Sequence, residues 1–197
     1  MNALIIYAHP NKKGHNGYIL KKVEEELKER NQDYKVIDLY KEKYNPVMRE
    51  DELYTHGGDK LYNDVKKHQE LFESADRIIL VYPIWWMGMP AILKGFFDRL
   101  LRPKFGYYFK PIAFNQGIPI GLFKDKKAAV FQTTTAHRFL EYLASFGRQK
   151  KQAKKDMLGL LGIKSKVYHV DTCLKCDEKQ MQKIDRKVQK GVKKLLR

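Results

Sequence analysis

The sequence predicts a doubly wound α/β domain: a five-stranded parallel sheet, order 2-1-3-4-5, covered by helices on both faces. Three observations predict it. Five short apolar runs punctuate the chain, segments with helical apolar spacing lie between them, and 197 residues are enough for one real core. Right-handed crossovers between such strands lay helices on both faces of the sheet. One domain, 1–197, is expected.

Ala3 to Ala8, "ALIIYA", is a continuous apolar run ending in His-Pro-Asn, as a buried parallel strand followed by a loop would. Ile19, Leu20, Val23 and Leu27 then repeat at helical spacing up to Asn31. Tyr34 to Tyr40 is the second strand, and 44–59 carries turn chemistry at Asn45-Pro46 and Gly57-Gly58. Leu61, Val65, Leu71 and Phe72 mark a helix that leads into the third strand, Arg77 to Pro83. Ile92, Leu93, Phe96, Phe97, Leu100 and Leu101 form a wide apolar helical stripe. The irregular stretch 102–126, rich in Tyr, Phe, Pro and Gly, is expected to be a functional loop or a small hairpin. Lys127 to Thr133 is the fourth strand and Lys166 to Asp171 the fifth. A final helix carries Met181, Ile184, Val188, Val192 and Leu195.

Hydrophobic residues at 43% and aromatics at 12% describe a packed globule despite a net charge of +16. Most of that charge is dispersed over helix faces, with its densest stretch at "RQKKQAKK", Arg148 to Lys155. No zinc-ligand set, RNP-like aromatic signature or recognition helix accompanies it, so a solvated basic surface is favoured over specific nucleic-acid binding. The opening apolar stretch is short and lacks a basic region before it, and no run approaches the roughly 20 apolar residues of a membrane span. Two cysteines do not make a disulfide framework. A cytoplasmic protein without membrane insertion is expected.

In open α/β sheets, ligands bind outside the carboxyl ends of the strands where the strand order reverses, here between strands one and three. Three loops reach that rim. "HPNKKGHNGY", His9 to Tyr18, offers backbone N–H groups, the charges of Lys12 and Lys13, and an Asn16 that can cap the next helix. "PIWWMGMP", Pro83 to Pro90, holds the only two tryptophans. "QTTTAH", Gln132 to His137, offers hydroxyls and N–H groups to the edge of a planar ligand. A phosphate cradle, an aromatic wall and a polar edge together suit a flavin better than a sugar or an amino acid. "CLKC", Cys173 to Cys176, has no second pair and follows the fifth strand, away from the switch point; no role is expected for it.

These residues resemble the NAD(P)H:quinone oxidoreductase family of flavodoxin-like flavoproteins, which includes quinone reductases, drug-activity modulators and ancillary proteins of potassium efflux systems. "LIIYAHPNKKGHN" resembles the opening strand and His-led loop of that family, "YPIWWMGMPAILKGFFDRLL" its Pro-x-x-Trp-x-Gly-x-Pro-x-x-x-Lys block, and "KKAAVFQTTTA" its fourth strand with a Thr-Thr pair. The resemblance implies a homodimer with FAD, or FMN as the alternative, at the subunit interface.

By position it implies that His9, Lys13, His15, Asn16 and Gly17 hold the phosphate-bearing tail, and that Pro83, Ile84, Trp86 and Met87 hold the isoalloxazine ring. Thr133, Thr134, Thr135 and Ala136 would meet the ring's polar edge, and Asp98 would lie near the tail. Trp86, Met87, Tyr107 and Phe109 would shape the substrate pocket, the last two from the partner subunit. Trp85 is expected to point toward the core or the partner. Tyr142 approximates a catalytic tyrosine of the family, whose catalytic histidine has no counterpart after the basic stretch. Thr135 and Ala136 replace a frequent Gly-Gly.

The implied activity is flavin-dependent NAD(P)H:quinone oxidoreduction, with NAD(P)H and a quinone-like acceptor using one slot in turn. Alternatives are a regulatory flavoprotein of the efflux-ancillary type and a flavodoxin-like electron carrier. The carrier ordinarily needs an acidic docking face, which a charge of +16 opposes.

Overall fold

Parallel strands buried on both faces read as unbroken apolar runs, and that is why the sheet was legible. In a computed structural model, which describes residues 1–56, 59–112 and 116–197, the main sheet consists of β1 (Asn2–Tyr7), β2 (Asp33–Asp38), β3 (Arg77–Pro83), β6 (Lys127–Thr133) and β7 (Lys164–Val170). All neighbours are parallel, in the order β2-β1-β3-β6-β7, which is 2-1-3-4-5 when only these five strands are numbered. The third and fourth expected strands match residue for residue; the others shift by one or two residues at their ends. The expected Gly57-Gly58 turn lies outside the described residues.

Successive strand residues point to opposite faces. Ile5, Tyr7, Ile79, Val81 and Phe131 pack under α1 (His15–Glu29) and α6 (Glu178–Leu195), whose stripe is Ile184, Val188, Val192 and Leu195. Leu4, Ile6, Leu80, Tyr82 and Val130 face α2 (Asn63–Ser74) and α3 (Ala91–Leu100), with Phe72, Leu93, Phe96 and Phe97 between them. Leu61, expected to open α2, is exposed and precedes it.

Two segments add to the expected pattern. Within 102–126, β4 (Tyr107–Pro111) and β5 (Gly117–Gly121) pair antiparallel as a small separate hairpin. Between β6 and β7 lie α4 (Arg138–Ser145), the short α5 (Arg148–Lys151) and a π-helical turn, Gln152–Met157. The helix α4 had no inward apolar stripe to announce it, because Phe139, Leu140, Tyr142, Leu143 and Phe146 are all exposed. No helix among the described residues is long and apolar enough to cross a membrane.

Candidate functional site

The carboxyl ends of β1, β3, β6 and β7 converge on one rim. At β1 the chain turns through His9–Gly14, where the Asn11 N–H donates to His9 Nδ1 (3.0 Å) and the Lys13 N–H to Asn11 Oδ1 (2.8 Å). Gly14 is the N-cap of α1 and supplies no side-chain acceptor to the first turn. The helix thus opens with its N–H groups and positive dipole end uncapped by a side chain, as anion-binding helices do. Asn16 lies inside that turn. It does not cap the helix as the sequence suggested: its Nδ2 donates to Thr133 Oγ1 (2.8 Å), and its buried Oδ1 has no protein partner. Lys12 is also drawn away, its ammonium 2.6 Å from Asp38, whereas Lys13 is exposed beside the helix start.

After β3 the Ile84 N–H bonds to the Thr133 carbonyl (2.8 Å), tying two rim loops together. Trp85 and Gly88 then exchange both backbone hydrogen bonds at 3.0 Å, closing a two-residue turn across Trp86 and Met87. Both central residues are left-handed, φ 47° at Trp86 and 62° at Met87, the pattern of a type I′ turn that normally takes Asn-Gly. Non-glycine residues in that region cost roughly 1–3 kcal/mol each, and such strain is characteristic of functional sites. The strain aims the Trp86 side chain entirely into solvent. Trp85 does not enter the core: it is exposed and its ring lies 6.1 Å from that of His9.

Ile84, Trp86, Met87, Thr134 and Ala136 surround one hollow of about 370 Å3, completed by Leu140, Glu141, Ala144 and Gln149. Thr133 is buried beneath it, holding Asn16, and Thr135 is exposed at its edge. Pro83 ends β3 in register with Thr133. His9, Lys13, His15, Asn16 and Gly17 lie on the β1–α1 loop and the first turn of α1, joined to the rim by the Asn16–Thr133 bond, and none of them lines the hollow. Asp98 and Tyr107 do not join this hollow. They share another, of about 550 Å3, with Met48, Tyr54, Met89 and Phe97. Asp98 pairs there with Lys94. Burial and a hydrogen bond to Tyr54 push Tyr107 up to about 12. Phe109 stacks edge-on to Tyr107 on the hairpin. Tyr142 stands exposed on α4, outside the hollow's lining, while Glu141 takes the inward position of that turn.

Two residues that sequence reasoning missed therefore shape the hollow. Gln149 is buried and donates from Nε2 to Met87 Sδ (3.1 Å), while Ser145 Oγ donates to its Oε1 (2.7 Å), so α4 and α5 hold the strained turn. Glu141 Oε2 lies 2.6 Å from Nε2 of buried His169 on β7. A histidine inside an apolar strand was the available signal. Burial, reinforced by the charge of Lys150, pushes His169 down to about 4, and burial pushes Glu141 up. Burial thus disfavours the charged form of both partners.

An unfolded histidine near 6.5 takes up a proton that the folded His169 refuses until about pH 4. Stability is therefore lost as pH falls through that window. The raised carboxyl of Glu141 acts oppositely, contributing stability that is lost as pH rises from its ordinary value toward its folded one. Urea midpoints at pH 7 and pH 5 are expected to fall less in His169→Gln than in the wild type. Equal falls would refute the assignment.

With this geometry in place, comparison with known proteins is specific. The profile of a family described as flavodoxin-like fold matches residues 1–195. An uncharacterized NAD(P)H oxidoreductase of Haemophilus influenzae is 37% identical over 68% of this chain and 64% of its own length. NAD(P)H dehydrogenase [quinone] 1 of Rattus norvegicus is 28% identical over 67% of this chain and 53% of its own. The chain thus spans less than two thirds of either relative. Among solved structures, Smu.1420 from Streptococcus mutans superimposes with a TM-score of 0.82 at 30% identity, covering 98% of this chain and 100% of that one. An FMN-dependent NADH-azoreductase from Bacillus anthracis, in complex with FMN, reaches 0.79 at 19% identity, covering 100% of this chain and 99% of that one.

Proposed function

This chain belongs to the flavodoxin-like fold family, and from that premise we propose that it is a flavin-dependent NAD(P)H:quinone oxidoreductase. The observation that carries the proposal is a hollow walled by the loops after β3 and β6, with the outward Trp86 on its lining and the uncapped N-terminus of α1 joined to its rim by the Asn16–Thr133 hydrogen bond. When bound, a flavin supplies two-electron transfer from NAD(P)H to a quinone-like acceptor.

The chain's own residues bind and orient. The first-turn N–H groups of α1 and the charge of Lys13 would hold a phosphate, and the unpartnered Oδ1 of Asn16 would accept a hydrogen bond from the tail. Trp86, Met87 and Ile84 would hold the ring in this hollow, with Thr134 and Ala136 offering polar groups to its edge. Glu141 places its carboxyl on the hollow's lining, backed by His169, and burial favours its protonated form.

This rim accounts for the part of the cofactor that FMN contains. The FAD favoured by the sequence needs further room for its AMP half. A basic hollow of about 840 Å3 beside loop 172–177, with Lys175, Lys179, Lys183 and Arg186, is where that half would lie. The bare apolar face of α4, next to Trp86, supports a homodimer in which a second copy covers it and brings the hairpin aromatics to the ring.

The purified protein is expected to be yellow, to release FMN or FAD by mass, to sediment as a dimer, and to turn over NAD(P)H with menadione. One shared slot gives parallel double-reciprocal lines. A colourless protein that takes up neither flavin would refute the reading.

A further inference from the structure

The CLKC loop is not remote from the rim. It lies over the N-terminus of α1: the Cys173 N–H donates to the Thr134 carbonyl (2.9 Å), and His15 Nε2 lies 3.1 Å from the Lys175 carbonyl. Cys176 Sγ is 3.5 Å from Nε2 and 3.7 Å from Nδ1 of the same imidazole. A carbonyl only accepts, so Nε2 carries the proton and Nδ1 is left as a base facing the Cys176 thiol. Cys176 is exposed and sits just before the N-cap of α6. Cys173, three residues before it, is half-buried, with Gln180 Nε2 donating to its sulfur (3.4 Å). One accessible thiol with a base beside it and one sheltered thiol at CxxC spacing form a reactive and a resolving pair.

We propose that Cys173 and Cys176 form a peroxide-responsive dithiol whose oxidation to a disulfide loosens the flavin tail from His15 and the start of α1. The flavin half of this statement rests on the function proposed above; the thiol half does not. The oxidant is a hydroperoxide. His15 Nδ1 takes the Cys176 proton, and the thiolate attacks the peroxide, forming an S–O bond and breaking O–O. The leaving oxygen departs as water or alcohol with the proton from His15. The Cys173 sulfur then attacks the Cys176 sulfur: S–S forms, S–O breaks, and water leaves with the Cys173 proton. Two electrons pass from the thiols to the peroxide. The new bond pulls Cys176 off His15 and reshapes the Lys175 carbonyl contact, so a residue of the tail site loses both its neighbours.

The flavin-loaded protein is treated with hydrogen peroxide, alkylated with iodoacetamide and read by mass, with flavin affinity followed by fluorescence. Two alkylation sites are expected to vanish into a Cys173–Cys176 disulfide while the flavin Kd rises about tenfold, both reversed by dithiothreitol. Cys173→Ser should stop at a sulfenic acid on Cys176, trapped by dimedone. Cys176→Ser should keep its flavin in peroxide. Full alkylation at both thiols after peroxide overturns the proposal, as does a disulfide that leaves flavin affinity unchanged. A protein that binds no flavin while forming the disulfide instead marks failure of the functional reading, because the mass readout does not pass through the cofactor.

Discussion

Gly17→Ala is expected to lose the flavin. A Cβ built on Gly17 would lie 1.9 Å from the Lys12 carbonyl oxygen, 2.4 Å from its carbon and 2.6 Å from its Cα. These are backbone atoms, so no side-chain rotation relieves the overlap. Either the first turn of α1 or the loop 9–14 must move outward by more than an ångström, and the N–H groups that face the phosphate move with it. We expect flavin affinity to fall by at least a hundredfold, about 2.8 kcal/mol, beside an overpacking cost of roughly 1–3 kcal/mol in stability. Gly14→Ala is the control, since a Cβ there meets nothing within 4 Å and its φ of −99° suits any residue. Flavin titration of both variants decides the matter. A Gly17→Ala protein binding flavin within twofold of wild type would mean that this turn is not the tail site.

Arg99→Met is expected to cause the largest loss of stability. The guanidinium is completely buried on α3 and spends all its arms: Nε on both Glu52 oxygens (2.9 and 3.2 Å), one terminal nitrogen on the Asn45 carbonyl (2.9 Å) and Asp64 Oδ2 (2.8 Å), and the other on Asp64 Oδ1 (3.5 Å). Burial pushes the Asp64 carboxyl up, but the hydrogen bond and charge of Arg99 outweigh it and hold Asp64 below the usual range. Methionine fills much of the same volume and leaves Glu52 buried without a counter-charge. Breaking a buried pair in this way costs about 3–5 kcal/mol, a fall in Tm on the order of 10 °C for a chain of this size. Adding Glu52→Gln should recover part of the loss, which a double-mutant cycle in urea measures. A single-variant loss below about 1 kcal/mol would show that the cluster is solvated. The cluster also serves the site: it pins the segment carrying Met48 and Tyr54 against α3, where they line the hollow shared by Asp98 and Tyr107.

The sheet, its order and the three loops of the rim were legible because they follow from local pattern. A parallel strand buried on both faces must be a continuous apolar run, a crossover helix must carry a stripe, and the chain order of those elements determines which loops share an end of the sheet. The helix α4 was hidden because its apolar residues face outward, and periodicity reports only faces that the same chain buries.

By itself, the sequence determined the architecture and the neighbourhood of the site. Only the tertiary structure decided the partners: Asn16 with Thr133 at a separation of 117 residues, Arg99 with Glu52 at 47, and Cys176 with His15 at 161. Hydrogen bonds and thiol–imidazole contacts depend on ångström-scale placement of side chains brought together by packing, and no spacing along the chain encodes that placement.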